Sequence, residues 1–204
     1  KEMLSYTRDK FYNLKINTNA SLLDEKMSHA ILDSGVKTLV FSADAADSEL
    51  YSKLRVNGKL ETVLANIKKF QEIRIKKYTK SKIITRVSGV KVNSQQDLGA
   101  MEKYWGDIVD QVAFVDYMPW ENVYVSKASG VQAPCSDLWR RMFVWWDGKV
   151  NPCDVDYKSQ LSVGNIENSN ISDLWKSNNY KKLRKQHESK LRKDTFPCNR
   201  CVLI

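Results

Sequence analysis

The chain has 204 residues, of which 42% are apolar and 28% are charged, and this composition is typical of a globular protein. No apolar run approaches the ~18 residues that are needed to span a bilayer, and the first residues, KEMLSYTRDK, lack the apolar core of a signal peptide. The net charge of +9 would suit an anionic partner. The basic runs, however, carry apolar or acidic residues at helical spacing, and no nucleic-acid-binding motif accompanies them. We therefore expect a cytoplasmic protein with no membrane segment and no nucleic-acid partner.

Residues 1 to about 120 are predicted to alternate helices and strands. Helical residues open the chain at 2–12, strands are predicted over 14–20, 36–44, 82–90 and 110–120, and helices over 21–35, 59–78 and 94–106. Ser21 is a candidate cap for the helix over 21–35, and Gly35 is suited to end it. The inner stripe of the helix over 59–78 is predicted to be Leu60, Val63, Leu64, Ile67 and Phe70. Repeated strand–helix units predict a parallel sheet with helices outside, either a barrel or a doubly wound sheet.

Only four strands can be counted in this half, whereas a closed eight-stranded barrel needs about 250 residues. Polar residues collect where the strands end, in TNA (18–20), SAD (42–44), TRV (85–87) and DYMPW (116–120). Parallel α/β folds bind ligands at such ends, but the same residue types also cap helices and form turns. The pattern alone leaves both interpretations open, and for Arg86 it leaves a cofactor contact and a salt bridge equally open.

From about residue 121 the pattern changes. FVWWDGKVNPCDVD (143–156) predicts a β-hairpin that turns at Asp147-Gly148, and residues 170–191 predict one or two short helices with Ser172 as a cap. The four tryptophans of this half are expected in its core, namely Trp139, Trp145, Trp146 and Trp175. The two histidines, His29 and His187, stand in polar helical patterns, so surface positions are expected for both.

Four cysteines in a chain without an export signal indicate a reducing compartment, where metal ligands or catalytic thiols are commoner than disulfides. All four lie in the second half, at Cys135, Cys153, Cys198 and Cys201. The C-x-x-C pair in PCNRC (197–201) suits chelation, because one tight turn aims two sulfurs at a shared centre. Spacing alone leaves a four-thiolate zinc site and a four-iron cluster equally favoured, with a redox C-x-x-C as a third possibility.

The segment from Cys135 to the end resembles the SPASM domain, the auxiliary iron–sulfur module at the C-terminus of many radical S-adenosylmethionine enzymes. The features that carry the resemblance are, in chain order, Cys135, Trp139, DGKVNPC (147–153), VGNI (163–166), DLW (173–175), Arg184 and PCNRC (197–201). The resemblance implies one auxiliary [4Fe–4S] cluster with Cys135, Cys153, Cys198 and Cys201 as its ligands. With one thiolate on each iron, no iron would be open for substrate, which favours electron transfer or a structural role.

The first half is similar to the later part of the radical-enzyme barrel. TNASLLDEK (18–26) looks like the third strand and following helix of that barrel, and FSADAADSELYSKLRVNGKLETVLANI (41–67) looks like the region of its fourth strand. The resemblance implies that Asn19, Ser42, Asp44 and Arg55 bind S-adenosylmethionine. The expected fold class is therefore α/β, with a partial (β/α) barrel fragment over 1–122 and a small α+β iron–sulfur domain over 123–204.

One departure from the family is large, because its catalytic C-x-x-x-C-x-x-C motif is missing and no cysteine precedes Cys135. A truncated chain is the favoured interpretation, and a degenerate homologue that serves as a scaffold is the other. Either way, this chain alone should not cleave S-adenosylmethionine. The intact enzyme would use S-adenosylmethionine and a second [4Fe–4S] cluster to make a 5′-deoxyadenosyl radical, which abstracts hydrogen from a substrate.

The expected substrate is a peptide or a small molecule, and the expected electron donor is a protein such as flavodoxin or ferredoxin. These partners are implied by the resemblance, since no segment for recognising a peptide is visible in the sequence. The competing class is a non-catalytic α/β domain that holds zinc through the same four cysteines.

Overall fold

The computed structural model describes residues 1–201. The chain separates into two compact units, of which the first is Lys1–Tyr117 and the second begins at Met118. The boundary that the sequence suggested, after residue 122, lies a few residues further along the chain. Within residues 1–201, no helix is both long enough and apolar enough to cross a membrane.

The first unit is built on a parallel sheet, as the alternation of helices and strands predicted. Its strands are β1 (Lys15–Thr18), β2 (Thr38–Ser42), β3 (Ile84–Lys91) and β4 (Gln111–Asp116), which lie side by side in chain order. Its helices are α1 (Glu2–Thr7), α2 (Glu25–Asp33), α3 (Ser48–Leu54), α4 (Leu60–Lys77) and α5 (Leu98–Gly106). All three strand pairings are parallel, which confirms an α/β fold. Helix α3 was not predicted.

The core of the first unit lies between the sheet and α4. Strand β2 is buried along Leu39, Val40 and Phe41, because a central parallel strand is covered on both faces. The stripe predicted for α4 is largely confirmed: Leu60, Val63, Ile67 and Phe70 are buried, and Leu64 is half-buried. The Phe41 and Phe70 rings meet edge to face at 6.0 Å, which joins β2 to α4.

The start of α2 differs from the prediction, since Asp24 and not Ser21 is its cap. The Asp24 carboxylate accepts the Met27 N–H at 2.6 Å, whereas Ser21 lies in the turn that follows β1. Both residue types cap well, so propensity alone did not distinguish them. Gly35 has φ +78° just after the helix, the left-handed conformation that glycine adopts most readily.

The second unit contains a small antiparallel sheet and short helices. Its strands are β5 (Phe143–Val144), β6 (Lys149–Asn151) and β7 (Gly164–Asn165), and its helices are α6 (Asp137–Arg140), α7 (Ile171–Trp175) and α8 (Asn178–Glu188). Three 3-10 turns lie at Trp120–Tyr124, Leu191–Asp194 and Cys198–Arg200. The hairpin is confirmed, and Gly148 takes φ +79° in its turn. The cap of α7 is Asn170, whose side chain accepts the Asp173 N–H, so the choice of Ser172 was wrong.

The core of the second unit consists of Leu138, Val150, Val163, Leu174, Tyr180 and Leu183. Arg184 connects its helices, because its guanidinium donates to the backbone oxygens of Leu138 at 2.8 Å and Trp175 at 3.0 Å. The same guanidinium lies 4.1 Å from the ring centre of Trp175 and 4.0 Å from that of Tyr180.

The prediction that Trp139, Trp145, Trp146 and Trp175 are core residues is wrong for two of them. Trp175 packs against the core cluster and Trp145 is partly buried, but Trp139 is 39% exposed and Trp146 is 97% exposed. Trp146 directly precedes the hairpin turn, where successive side chains point to opposite faces. Its neighbour Trp145 therefore takes the inner side, and Trp146 faces solvent.

Candidate functional site

The four cysteines of the second unit line one cavity of about 30 Å³. Cys135 stands just before α6, Cys153 follows β6, and Cys198 and Cys201 flank the turn of the last 3-10 segment. None of the four thiols is in a disulfide. The structure thus brings together four thiols from three separate stretches of the chain.

The loop that carries Cys153 is held by buried polar side chains. Asn151, at the end of β6, is fully buried and donates to the backbone oxygen of Asp156 at 2.9 Å and to Ser159 Oγ at 3.0 Å. The Asp156 carboxylate is also buried, and it accepts backbone N–H groups from Gln160 at 3.0 Å and Leu161 at 2.7 Å. These hydrogen bonds hold the loop on both sides of Cys153.

The electrostatics of the cavity oppose free thiolates. Burial, together with the charges of the Asp156 carboxylate and the neighbouring thiolates, raises the pKa of the Cys153 thiol to about 12, although a hydrogen bond from the Asp156 backbone acts in the opposite direction. Burial also raises the pKa of the Cys198 thiol to about 12, although the charge of Arg192 acts in the opposite direction. Thiolates crowded in this way ionise together only when a positive charge joins them. The donor set therefore fits a cationic metal group that four sulfurs hold.

The four thiols share a cavity without converging on a single ion. Among the residues that the structure describes, no group of three or more His, Cys, Asp or Glu side chains is arranged to hold one metal ion. A tetrahedral zinc places each sulfur about 2.3 Å from one point, whereas a four-iron cube takes one thiolate at each iron corner.

Two residues of the cavity wall, His187 and Arg192, were not predicted as site residues. His187 was expected at the surface, and this was wrong, because its side chain is fully buried and lines the cavity. Arg192 is 1% exposed and donates to the backbone oxygens of Cys198 at 3.4 Å and Ala133 at 3.1 Å. The sequence did contain a signal for His187, which lies four residues after Leu183 on the buried face of α8.

In the first unit, the structure joins two of the four residues predicted to bind S-adenosylmethionine. Arg55 Nη2 lies 2.8 Å from Asp44 Oδ2, and Asp44 Oδ1 accepts the Val90 N–H at 2.8 Å. Gln96 donates to the Asp44 backbone oxygen at 2.8 Å. Both carboxylate oxygens of Asp44 are therefore engaged by groups of the protein itself, and they tie the segment after β2 to the far part of β3.

The other two predicted residues, Asn19 and Ser42, stand at the ends of adjacent strands. Thr18 pairs with Phe41, and Asn19 and Ser42 are the residues that follow this pair on the two strands. Asn19 and Ser42 therefore lie at the same edge of the sheet. The Asn19 side chain accepts the Ser21 N–H at 3.1 Å and the Ser21 hydroxyl at 2.8 Å, which shapes the turn after β1. Arg86 forms no salt bridge with any residue that the structure describes, and its side chain donates to the Gln111 amide oxygen.

Residues 135–202 match the family model of SPASM, an iron–sulfur cluster-binding domain. This part of the chain is similar to SPASM domains. The match covers the four cysteines and every residue that lines their cavity except Val123, so the resemblance of this segment to SPASM is confirmed. None of the curated proteins is a significant match to the chain by sequence.

The chain is similar in fold to solved structures of radical S-adenosylmethionine enzymes. Streptococcus suis SuiB bound to precursor peptide SuiA superposes with a TM-score of 0.62 at 15% identity, over 83% of this chain and 49% of that one. The anSMEcpe protein with bound AdoMet superposes with a TM-score of 0.57 at 15% identity, over 91% of this chain and 61% of that one. The chain thus spans about half the length of SuiB.

Proposed function

We propose that the chain works as part of a radical S-adenosylmethionine enzyme, and that its SPASM domain binds one auxiliary [4Fe–4S] cluster. The proposed ligands are Cys135, Cys153, Cys198 and Cys201. The observation that carries the proposal is the convergence of these four thiols, from three stretches of chain, on one cavity inside the matched domain. Because four thiolates occupy four irons, the cluster transfers electrons or stabilises the domain and does not bind substrate.

The first unit would supply part of the surface that holds S-adenosylmethionine. When bound, this cofactor and a catalytic cluster supply the radical that abstracts hydrogen from the substrate. Asn19 and Ser42 are the proposed contacts at the sheet edge. Asp44 and Arg55 would act together, because their ion pair and the Val90 contact hold the segment after β2 in place.

A peptide is the proposed substrate class, with a small molecule as the alternative. The support is that one structure with this fold is SuiB bound to a precursor peptide. The proposed electron donor is a small redox protein such as flavodoxin or ferredoxin. Substrate and donor belong to the intact enzyme and are tested there, by peptide modification and by reduction with each donor.

The cluster is tested on the chain itself, purified and reconstituted without oxygen. We expect about four iron and four sulfide per chain, with broad absorbance near ~400 nm. Serine in place of each cysteine should lower the iron content, whereas Lys181→Ala on the exposed face of α8 should leave it unchanged. One tightly bound zinc and no stable iron would contradict the proposal. The chain would then be better described as a binding domain that holds zinc through its four cysteines.

A second experiment separates an enzyme from a degenerate scaffold. The intact protein, reduced in the presence of S-adenosylmethionine, should release 5′-deoxyadenosine, and the 204-residue chain should not. An intact protein that loads the auxiliary cluster but releases no 5′-deoxyadenosine would establish the scaffold.

A further inference from the structure

A single histidine lies in the wall of the cavity that the four cysteines line. His187 is on the buried face of α8 and is fully shielded from solvent. The other histidine, His29, belongs to α2 in the first unit. His187 is therefore the one described histidine that borders the cysteine cavity.

The hydrogen bonds of His187 determine which ring nitrogen carries the proton. Its Nδ1 accepts the backbone N–H of Cys135 at 3.2 Å, and a backbone N–H can only donate. Nδ1 is thus unprotonated. A histidine ring with a bare Nδ1 carries its proton on Nε2.

The protonated nitrogen has no hydrogen-bond partner among the described residues. Nε2 is buried and makes no hydrogen bond, and a buried N–H without an acceptor is destabilising. The carboxylates of the cavity wall are engaged elsewhere. Asp137 pairs with Arg141 at 3.0 Å, and Asp156 accepts from Gln160, Leu161 and Tyr124. Among the side chains that line the cavity, the remaining acceptors are the sulfurs of the cysteines, and a bound cluster would add its own sulfurs.

We infer that His187 is a positioning residue that donates its Nε2–H to a sulfur of the cluster while its Nδ1 holds the backbone of Cys135. This inference rests on the proposed function, because it needs a cluster in the cavity. One imidazole then performs two tasks: it orients a ligand-bearing segment, and it stabilises negative charge on sulfur. Hydrogen bonds to sulfur favour the reduced, more negative cluster and so raise its reduction potential.

Two amide variants separate these tasks. In His187→Asn, the amide oxygen lies near the position of Nδ1 and can still accept the Cys135 N–H. The variant has no donor at the position of Nε2. His187→Gln extends an amide N–H towards the position of Nε2 and restores the donor. His29→Gln, in the other unit, is the matched control.

The measurement is a redox titration of the reconstituted chain, followed by electron paramagnetic resonance. At a fixed solution potential, we expect the ratio of reduced to oxidised cluster to fall about threefold to tenfold in His187→Asn. A tenfold change corresponds to about 59 mV in the reduction potential for one electron. His187→Gln should return towards the unsubstituted value. Chain labelled with ¹⁵N-histidine should show a weak nitrogen coupling to the reduced cluster that persists in His29→Gln.

The isotope experiment needs no substitution at His187, so it tests the inferred hydrogen bond even if His187→Asn binds little cluster. A loaded cluster without ¹⁵N coupling, or with the strong coupling of a directly bound nitrogen, would overturn the inference. An unchanged potential in His187→Asn would do the same. Failure of the unsubstituted chain to bind iron would instead contradict the proposed function, and iron analysis detects that before any potential is measured.

Discussion

Arg55 and Asp44 form an ion pair of 2.8 Å at the end of β2, where a cofactor contact was expected. Asp44 connects three parts of the first unit, because its second oxygen holds the Val90 N–H and its backbone oxygen accepts from Gln96. The carboxylate is mostly buried, with 12% of its side chain exposed. A charge so enclosed contributes to stability as well as to any cofactor site.

Asp44→Asn should therefore destabilise the first unit even without cofactor. The amide still accepts the Val90 N–H, but Arg55 loses its counter-ion, and we expect a loss of about 1–3 kcal/mol in the free energy of unfolding. Urea unfolding and hydrogen exchange at the Val90 amide measure this. Glu49→Gln removes an exposed pair with Lys53 and should cost less than about 0.5 kcal/mol. Equal costs for the two variants would contradict the structural role of Asp44.

Arg192→Met should make the cluster easier to remove. The change deletes a buried cation beside the thiolates and two hydrogen bonds, to the backbone oxygens of Cys198 and Ala133. We expect faster iron loss to a chelator and a fall of about 2–4 kcal/mol in stability. Lys193→Met, at the exposed neighbouring position, is the control. Identical iron release by the two variants would show that the Arg192 charge does not support the cluster.

The pair of Arg74 and Asp110 should make the stability of the first unit depend on pH in acid. Arg74 holds Asp110 through two contacts, of 2.5 and 2.8 Å, and Thr85 donates to the same carboxylate. The guanidinium and these donors depress the pKa of Asp110 well below its ordinary value. The stabilisation is therefore complete above the unfolded-state pKa, near ~4, and is lost as the pH falls below it towards the folded-state pKa.

Unfolding in urea at a series of pH values from neutral to acid tests this dependence. Asp110→Asn should be less stable than the unsubstituted chain at neutral pH, by about 1 kcal/mol because the pair is partly solvated, and the difference should shrink in acid. Asp107→Asn changes a nearby exposed carboxylate and serves as control. A difference that stays constant down to acid pH would contradict the role of the Asp110 charge.

Trp146→Ser should leave the stability of the second unit nearly unchanged. Trp146 is 97% exposed, so its removal loses little burial, and we expect a change within about 0.5 kcal/mol. Val150→Ala, at a fully buried position on β6, should cost about 1–3 kcal/mol. Thermal unfolding of both variants measures the contrast. A large loss in Trp146→Ser would show that the tryptophan is covered in solution.

The parallel sheet could be predicted from the sequence because periodicity reports burial directly. The run Leu39-Val40-Phe41 and the stripe on α4 follow from that rule, and both are buried in the structure. Helix caps are less predictable, since Ser21 and Asp24 are equally good caps and tertiary packing selects between them. Helix α3 was missed because it is short, and its charged and polar residues mask the periodic pattern.

The sequence also located the four cysteines, but not the polar residues around them. Thiols can be found by residue type alone, whereas His187 and Arg192 resemble the many other basic residues of α8 and the segment after it. Their burial depends on which face of α8 packs inward. A basic pattern usually indicates solvent exposure. Of these two, Arg192 lies where the thiolates would otherwise be left without a counter-charge.

The order of the ligands along the chain has a consequence for biosynthesis. Cys135 and Cys153 emerge from the ribosome well before Cys198 and Cys201, and the cavity also needs His187 and Arg192 from the intervening stretch. Until that last stretch is translated, the first two thiols lack the other two thiols and part of the cavity wall. We therefore expect the proposed cluster to be inserted only after the whole domain has been translated. The iron–sulfur assembly proteins of the cell would then transfer the cluster to a folded domain and not to a nascent peptide.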